Sequence, residues 1–323
     1  MPASRDPRVN DNPSTYFVQD RKSEKELARL MIQDRMLTAG MGGALPEQAD
    51  SAVFHRVLDV GCGVGGWLIE AAQTYPEMSL VGIDISQRMI KYARTQAEVH
   101  QVHDRVEFHV MDALGVLDLP AAFFDLVNLR FGLSFVRTWD WPKMLSELLR
   151  VTCPGGVVRV TDTEAVHQSN SSALTRLGET LQCAFFRAGH LFTAENTGLT
   201  DHLARLLDQH GCEQVQTRTH AMEYRSGTVA GQALYENVML LFQTVHPFIQ
   251  KWGCASQDYE VIYRQALKEM QQPDFHATWN LLTAWGNKQS SEPRVVAASS
   301  QFTNIGLRKP LDLSMGRKQA FLF

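Results

Sequence analysis

Through the middle of the chain, short apolar runs of strand length alternate with stretches of helical spacing. Residues 55–60, 80–84, 106–111 and 124–129 read as buried strands. Residues 65–74 and the stretch from Ser86 to about 101 read as helices, with Ser86 as a cap. Residues 141–151 are helical, and Pro154-Gly155-Gly156 turns that helix into a fifth strand, 157–161. Strand, helix, strand at this rhythm predicts βαβ units, a parallel sheet and helices on both of its faces. Ahead of the sheet, Ser23 and Glu26 have the spacing of a capping box. Leu27, Leu30, Met31 and Leu37 then share one helical face, and Gly40, Gly42, Gly43 and Pro46 end the helix. Past Asp162 the rhythm changes. Leu174, Leu177, Leu181 and Phe185 mark one amphipathic helix. Leu199, Leu203, Leu206 and Leu207 mark another, closed by Gly211 at C′. Residues 213–219 alternate as a sixth strand. Helical patterns at 229–246 and 256–271, separated by Pro247, precede a last strand at 277–285.

Composition narrows the class. The 323 residues are 44% hydrophobic and 20% charged, with a formal net charge of -4. That mix excludes disordered and collagenous chains, and it lacks the basic footprint of a nucleic-acid binder. The length suits about two domains or one enlarged domain. Five cysteines, widely spaced and without a CxxC pair, suggest neither a zinc knuckle nor a disulfide framework, so a cytoplasmic setting is expected. The first residues show no apolar core of signal-peptide length. No run approaches the roughly 18 apolar residues of a membrane helix.

The strongest chemical signal is Val57-Leu58-Asp59-Val60-Gly61-Cys62-Gly63-Val64-Gly65-Gly66. A buried strand enters a glycine turn and then a helix, whose first N–H groups are free to meet an anion. Gly61, Gly63 and Gly66 satisfy the dinucleotide pattern GxGxxG, while Gly61, Gly63 and Gly65 satisfy GxGxG. Asp59, two residues before the first glycine, is awkward beside a pyrophosphate and better suited to a ligand carrying an ammonium group. Asp84 ends the next strand and can hold ribose hydroxyls under either pattern. Asp112 follows the third strand, where a carboxylate can accept from an adenine amino group.

Taken together, DVGCGVGG, GIDIS, VMDA, FDLVNLR and LLRVTCPGGVVRVTD resemble class I S-adenosylmethionine-dependent methyltransferases, the small-molecule, quinone-biosynthesis-like branch most closely. The resemblance covers about residues 50–165. It implies an α/β, Rossmann-like fold with a seven-stranded, mostly parallel sheet whose last strand is antiparallel, helices on both faces, and helical lid insertions. It implies S-adenosyl-L-methionine as cofactor and transfer of its methyl group to an O-, C- or N-nucleophile on a small molecule. By this resemblance Gly61, Gly63 and Gly65 pass under the methionine part, with Asp59 near it. Asp84 takes the ribose hydroxyls, Ile85 packs on the adenine, and Asp112 with Ala113 reads its edge. Asn128 and Arg130 flank the methionine end, and Tyr16 and Gln33 fold over the donor.

The corresponding organisation is an N-terminal arm and covering helix (1–50), a donor-binding core (51–164), lid helices with strand six (165–221), a helical substrate cap (222–273), the last strand (274–290) and a tail (291–323). Glu164, after the fifth strand, and His190, after the first lid helix, are the candidate polar groups facing the acceptor. Aromatic residues of the lid, such as Phe185, Phe248 and Trp252, suit core packing, with a few left to line a pocket. No HxxxH or HExxH spacing occurs, so metal-independent chemistry is expected. The expected partner is a small-molecule substrate, with no nucleic acid and no membrane span, and the protein is a monomer or homodimer. Two other classes remain open: a nicotinamide-dependent oxidoreductase using the GxGxxG pattern, and a non-catalytic donor-binding protein.

Overall fold

The structure is a computed structural model describing residues 15–18, 20 and 23–290. The arm before Thr15 and the tail 291–323 lie outside the described residues. The chain opens on α1 (Glu24–Met41) and then enters the sheet: β1 (Arg56–Val60), α2 (Gly66–Thr74), β2 (Ser79–Asp84), α3 (Gln87–Val99), β3 (Val106–Val110), β4 (Phe124–Arg130), α4 (Trp141–Val151) and β5 (Thr152–Thr163). The second half holds β6 (Gln168–Ser169), α5 (Ser172–Arg187), α6 (Thr200–Gln209), β7 (Cys212–Arg225), α7 (Val229–Thr244), α8 (His246–Lys251), α9 (Tyr259–Glu269) and β8 (His276–Lys288).

Among the described residues the sheet has eight strands, ordered β3-β2-β1-β4-β5-β8, with β6 and β7 both pairing β8. β1 to β5 run parallel, and β8 inserts antiparallel beside β5 and β7. The expected seven-stranded sheet with an antiparallel last strand is therefore present. The eighth strand is the two-residue β6, too short to leave a pattern in the sequence.

Period-two alternation sorts each central strand between two cores. Leu58 and Val60 of β1, Val127 and Leu129 of β4, and Val158 and Val160 of β5 pack on one face with α4, α5 and α6. Val57, Leu126 and Val157 face α2 and α3 on the other. The same alternation puts three polar residues on the second face, side by side in register: Asp59 opposite Asn128, and Asn128 opposite Arg159. All three are buried.

Several local expectations change. Ser23 is the N-cap of α1, but its side chain makes no capping bond. Glu26 instead bonds the Tyr16 hydroxyl at 2.5 Å and the Arg29 guanidinium at 2.7 and 2.8 Å. Glu26 and Arg29 are thus buried as an ion pair, while Leu27, Leu30 and Met31 are only partly covered. β5 begins at Thr152, earlier than expected. Phe124 pairs Thr152 and Leu126 pairs Val157, so the Pro-Gly-Gly segment bulges out of a strand already formed. α7 ends at Thr244, just ahead of Pro247, and a further short helix, α8, precedes α9. Pro247 occupies the first turn of α8, where a missing N–H costs nothing.

The cysteines also depart from expectation. Cys183 of α5 and Cys254, just past α8, form a disulfide with their Cα atoms 6.0 Å apart, while Cys62 and Cys212 are free thiols. The two are distant in sequence and meet only because α5 packs against α8.

Candidate functional site

The glycine turn after β1 is held from the neighbouring strand. Gly63 and Gly65 have φ of +54° and +77°, a region where a side chain is strained. A Cβ on Gly65 would also collide with Phe108 and Ala93. The Gly63 N–H donates to the Asp84 carboxylate at 3.1 Å, and the Ser86 N–H donates to the other oxygen at 2.7 Å. Asp84 thereby fixes the turn, and Ser86 caps α3.

Above this turn opens a cavity of about 600 Å³. Its floor and walls come from the C-terminal ends of the parallel strands, where ligands of such sheets bind. Gly61, Cys62, Gly63 and Val64 follow β1. Asp84, Ile85 and Ser86 follow β2. Asp112, Ala113, Leu114 and Gly115 follow β3, and Arg130, Phe131, Ser134 and Phe135 follow β4. Tyr16, with Glu26, Leu30, Gln33, Asp34 and Leu37 of α1, covers the opening.

Arg130 donates to Asp34 at 2.6 Å, yet its Nε and Nη1 are buried without a partner among the described residues. Ile85 is 45% exposed, an apolar side chain left uncovered on a cavity wall. Carboxylates outnumber cations around the cavity. Glu26, Asp34, Asp84, Asp112 and Asp140 stand against Arg130, Arg137 and Lys143.

Most of the residues singled out from sequence meet here: Tyr16, Gln33, Gly61, Gly63, Asp84, Ile85, Asp112, Ala113 and Arg130. Asp59, Asn128 and Gly65 do not line the cavity. Asn128 donates to Asp59 at 2.7 Å and accepts from Arg159 at 2.7 Å, and Arg159 in turn reaches Glu47 at 2.6 Å. This chain runs inside the sheet beneath the turn. Burial pushes the Asp59 carboxyl up to about 6, against the lowering influence of Arg130 and Asn128.

Glu164 and His190 also lie elsewhere. Glu164 accepts from Asn196 at 2.9 Å and from Asn280 at 3.2 Å, tying the end of β5 to β8 and to the loop before α6. His190 lines a second cavity of about 350 Å³ with Thr15, Tyr16, Arg137, Ala188, Phe248, Lys251 and Trp252. The covering element of the first cavity is α1, and the two lid insertions contribute no lining residue to it. Their apolar faces are spent on the large core and on one another.

Sequence reasoning missed Glu26, Leu30, Asp34, Phe135, Arg137 and Lys143. The α1 residues had a legible signal. Positions 26, 30, 33, 34 and 37 follow helical spacing and share a face.

Residues 57–156 match the family described as a methyltransferase domain. Over this segment the chain is similar to methyltransferase domains. A demethylmenaquinone methyltransferase of Deinococcus radiodurans is 32% identical over 160 residues, covering 48% of this chain and 64% of that protein. One from Listeria monocytogenes is 37% identical over 112 residues, covering 33% and 44%. The chain therefore spans less than two thirds of either relative. A solved structure of Haemonchus contortus phosphoethanolamine N-methyltransferase 2 superposes with a TM-score of 0.51 at 19% identity, covering 85% of this chain and 60% of that one. This likeness matches the fold of the methyltransferase domain. The glycine turn, Asp84 and Asp112 all fall inside the matched segment 57–156.

Proposed function

We propose that this protein binds S-adenosyl-L-methionine in the first cavity and methylates a small molecule. The observation that carries this reading is the pair Asp84 and Asp112 at the ends of neighbouring strands, lining the same cavity as the unpartnered Nε and Nη1 of Arg130. A ribose, an adenine amino group and a carboxylate would satisfy these groups together. The excess of carboxylates suits a cationic donor and disfavours a pyrophosphate. That counts against a nicotinamide cofactor.

In this reading Asp84 accepts from the ribose hydroxyls while still bracing Gly63. Asp112 and the Ala113 N–H read the adenine edge, and the exposed face of Ile85 is covered by the ring. Arg130 pairs with the amino-acid carboxylate, steadied by Asp34. Tyr16 and Gln33 close the cavity and exclude water. Asp59 and Asn128 act from beneath, holding β1 and β4 together under the turn. When bound, the donor supplies a sulfonium methyl that passes in line to a nucleophile. The chain's own work is alignment and exclusion of water. An acceptor hydroxyl or acidic carbon would lose its proton to a base, whereas an amine could arrive neutral.

No metal enters this scheme, and among the described residues no cluster of three or more His, Cys, Asp or Glu could hold one. Among the described residues no helix is long and apolar enough to cross a membrane. The free thiols of Cys62 and Cys212 support a cytoplasmic setting, and the Cys183–Cys254 bond counts against it. Calorimetry with S-adenosylhomocysteine and with NADH tests the donor assignment. Binding of S-adenosylhomocysteine alone is expected, and binding of NADH alone would overturn it.

A further inference from the structure

We propose that the second cavity seats an anionic group of the methyl acceptor, a carboxylate or a phosphate, between Arg137 and Lys251. The inference rests on the donor reading above and extends it to the acceptor's chemistry.

The two cavities meet. Thr15, Tyr16 and Arg137 line both, so one molecule can place a nucleophile in the first and a remote group in the second. Their charge differs in sign. The first is lined by five carboxylates and three cations, whereas the described lining of the second holds Arg137 and Lys251 and no carboxylate. A cationic donor and an anionic acceptor group would each find the complementary side of this division.

Two buried polar atoms in the second cavity's lining residues lack partners among the described residues, Arg137 Nε and His190 Nδ1. Buried donors and acceptors left this way are costly, and a ligand would satisfy them. His190 is 1% exposed. Burial, and the positive charge of Arg137 after it, hold its imidazole down to about 4, so the ring is neutral at physiological pH. The ring bonds the Leu133 and Val136 backbone. Nδ1 is then free to accept from a hydroxyl or amine on the same ligand. Phe248 and Trp252 supply apolar walls for the body of the molecule.

The wall carrying Lys251 and Trp252 is fixed in advance. Arg187 donates to the Trp252 and Gly253 carbonyls at 3.0 Å each, and the Cys183–Cys254 bond joins the same turn to α5. Ala188 and His190 follow α5 directly, so the two sides of the cavity are pinned to each other. A rigid pair of walls lowers the ordering cost of binding.

The test is calorimetry on the full chain saturated with S-adenosylhomocysteine, using 3-phenylpropionate, phenyl phosphate and the neutral 3-phenylpropan-1-ol as probes. At least one anionic probe should bind about tenfold or more tighter than the alcohol, as expected for a charge-assisted bond. The tighter of the two anions tells carboxylate from phosphate. Lys251 is exposed, so Lys251→Met should keep the melting temperature and S-adenosylhomocysteine affinity while losing about tenfold in anion affinity. Lys251→Arg should recover most of that loss. Equal affinity for anion and alcohol, or an anion affinity indifferent to Lys251→Met, would overturn the proposal. A wild-type protein that fails to bind S-adenosylhomocysteine overturns the donor reading instead. The anion arm, run without it, then decides the cavity by itself.

Discussion

Asp84 carries two duties in one carboxylate, because both of its oxygens already accept backbone N–H groups while the side chain lines the cavity. Charge-assisted bonds to ribose hydroxyls are worth about 1.5–3 kcal/mol each before water compensates. Asp84→Ala should therefore weaken S-adenosylhomocysteine binding by about tenfold to several hundredfold. Circular dichroism should show the sheet intact. An unchanged dissociation constant would reject the ribose role. Glu164 makes the opposite case. Its carboxylate is consumed by Asn196 and Asn280 and lines neither cavity. Glu164→Ala is expected to cost about 1–2 kcal/mol of stability, the toll of two unpaired amides, and to leave S-adenosylhomocysteine affinity within twofold. A loss of donor affinity measured by calorimetry would return Glu164 to the site.

At the scale of elements, the parallel half of the sheet was legible because strand, turn and cap signals agreed. β1, β2, β3, β4 and α4 lie within a residue or two of their expected bounds. The buried polar row was not legible. Asp59 and Asn128 each look like a ligand-facing group near a strand end, and only the register shows them bonded to each other and, through Asn128, to Arg159. α1 was misread for a related reason. Its buried face carries Glu26 and Arg29, which no apolar periodicity reveals. The row ends in Glu47 and Arg159, whose side chains are wholly out of solvent. Arg159 holds the Glu47 carboxyl below the usual carboxylate range despite its burial. Removing one partner strands a charge, so Glu47→Ala should destabilise by about 3–5 kcal/mol. Replacing both with apolar residues, Glu47→Leu with Arg159→Met, should cost much less than the single change. The comparison is read from urea midpoints. Equal losses in the single and double variants would mean the pair is not acting as a unit.

For the whole molecule, buried titratable groups set opposing pH responses. Burial lowers His167 and His190 to about 4, against about 6.5 in an unfolded chain. Between those values the unfolded state binds more protons, so stability from these two is present above pH 6.5 and lost as pH falls toward 4. Asp162 behaves inversely. Burial raises it to about 7, against the lowering pull of the Leu133, Thr163 and Gly132 backbone N–H groups. Asp59, at about 6, follows the same sense. Their native forms hold protons more tightly than the unfolded chain, so their contribution falls as pH rises from about 4 to between 6 and 7. In the wild type the two trends offset each other, and variants should separate them. At pH 5 each buried histidine opposes folding by on the order of 2 kcal/mol relative to neutral pH. His167→Gln with His190→Gln should therefore raise the melting temperature at pH 5 relative to pH 7.5, compared with wild type. Asp162→Asn should do the reverse, removing a group that favours folding in acid. Its amide keeps an acceptor for the Leu133 N–H, which the native carboxylate binds at 2.9 Å. Melting curves of the three proteins across pH 4.5–8 that run parallel would sink this account. Those that diverge with the stated signs would tie the acid response to these buried groups and not to the surface.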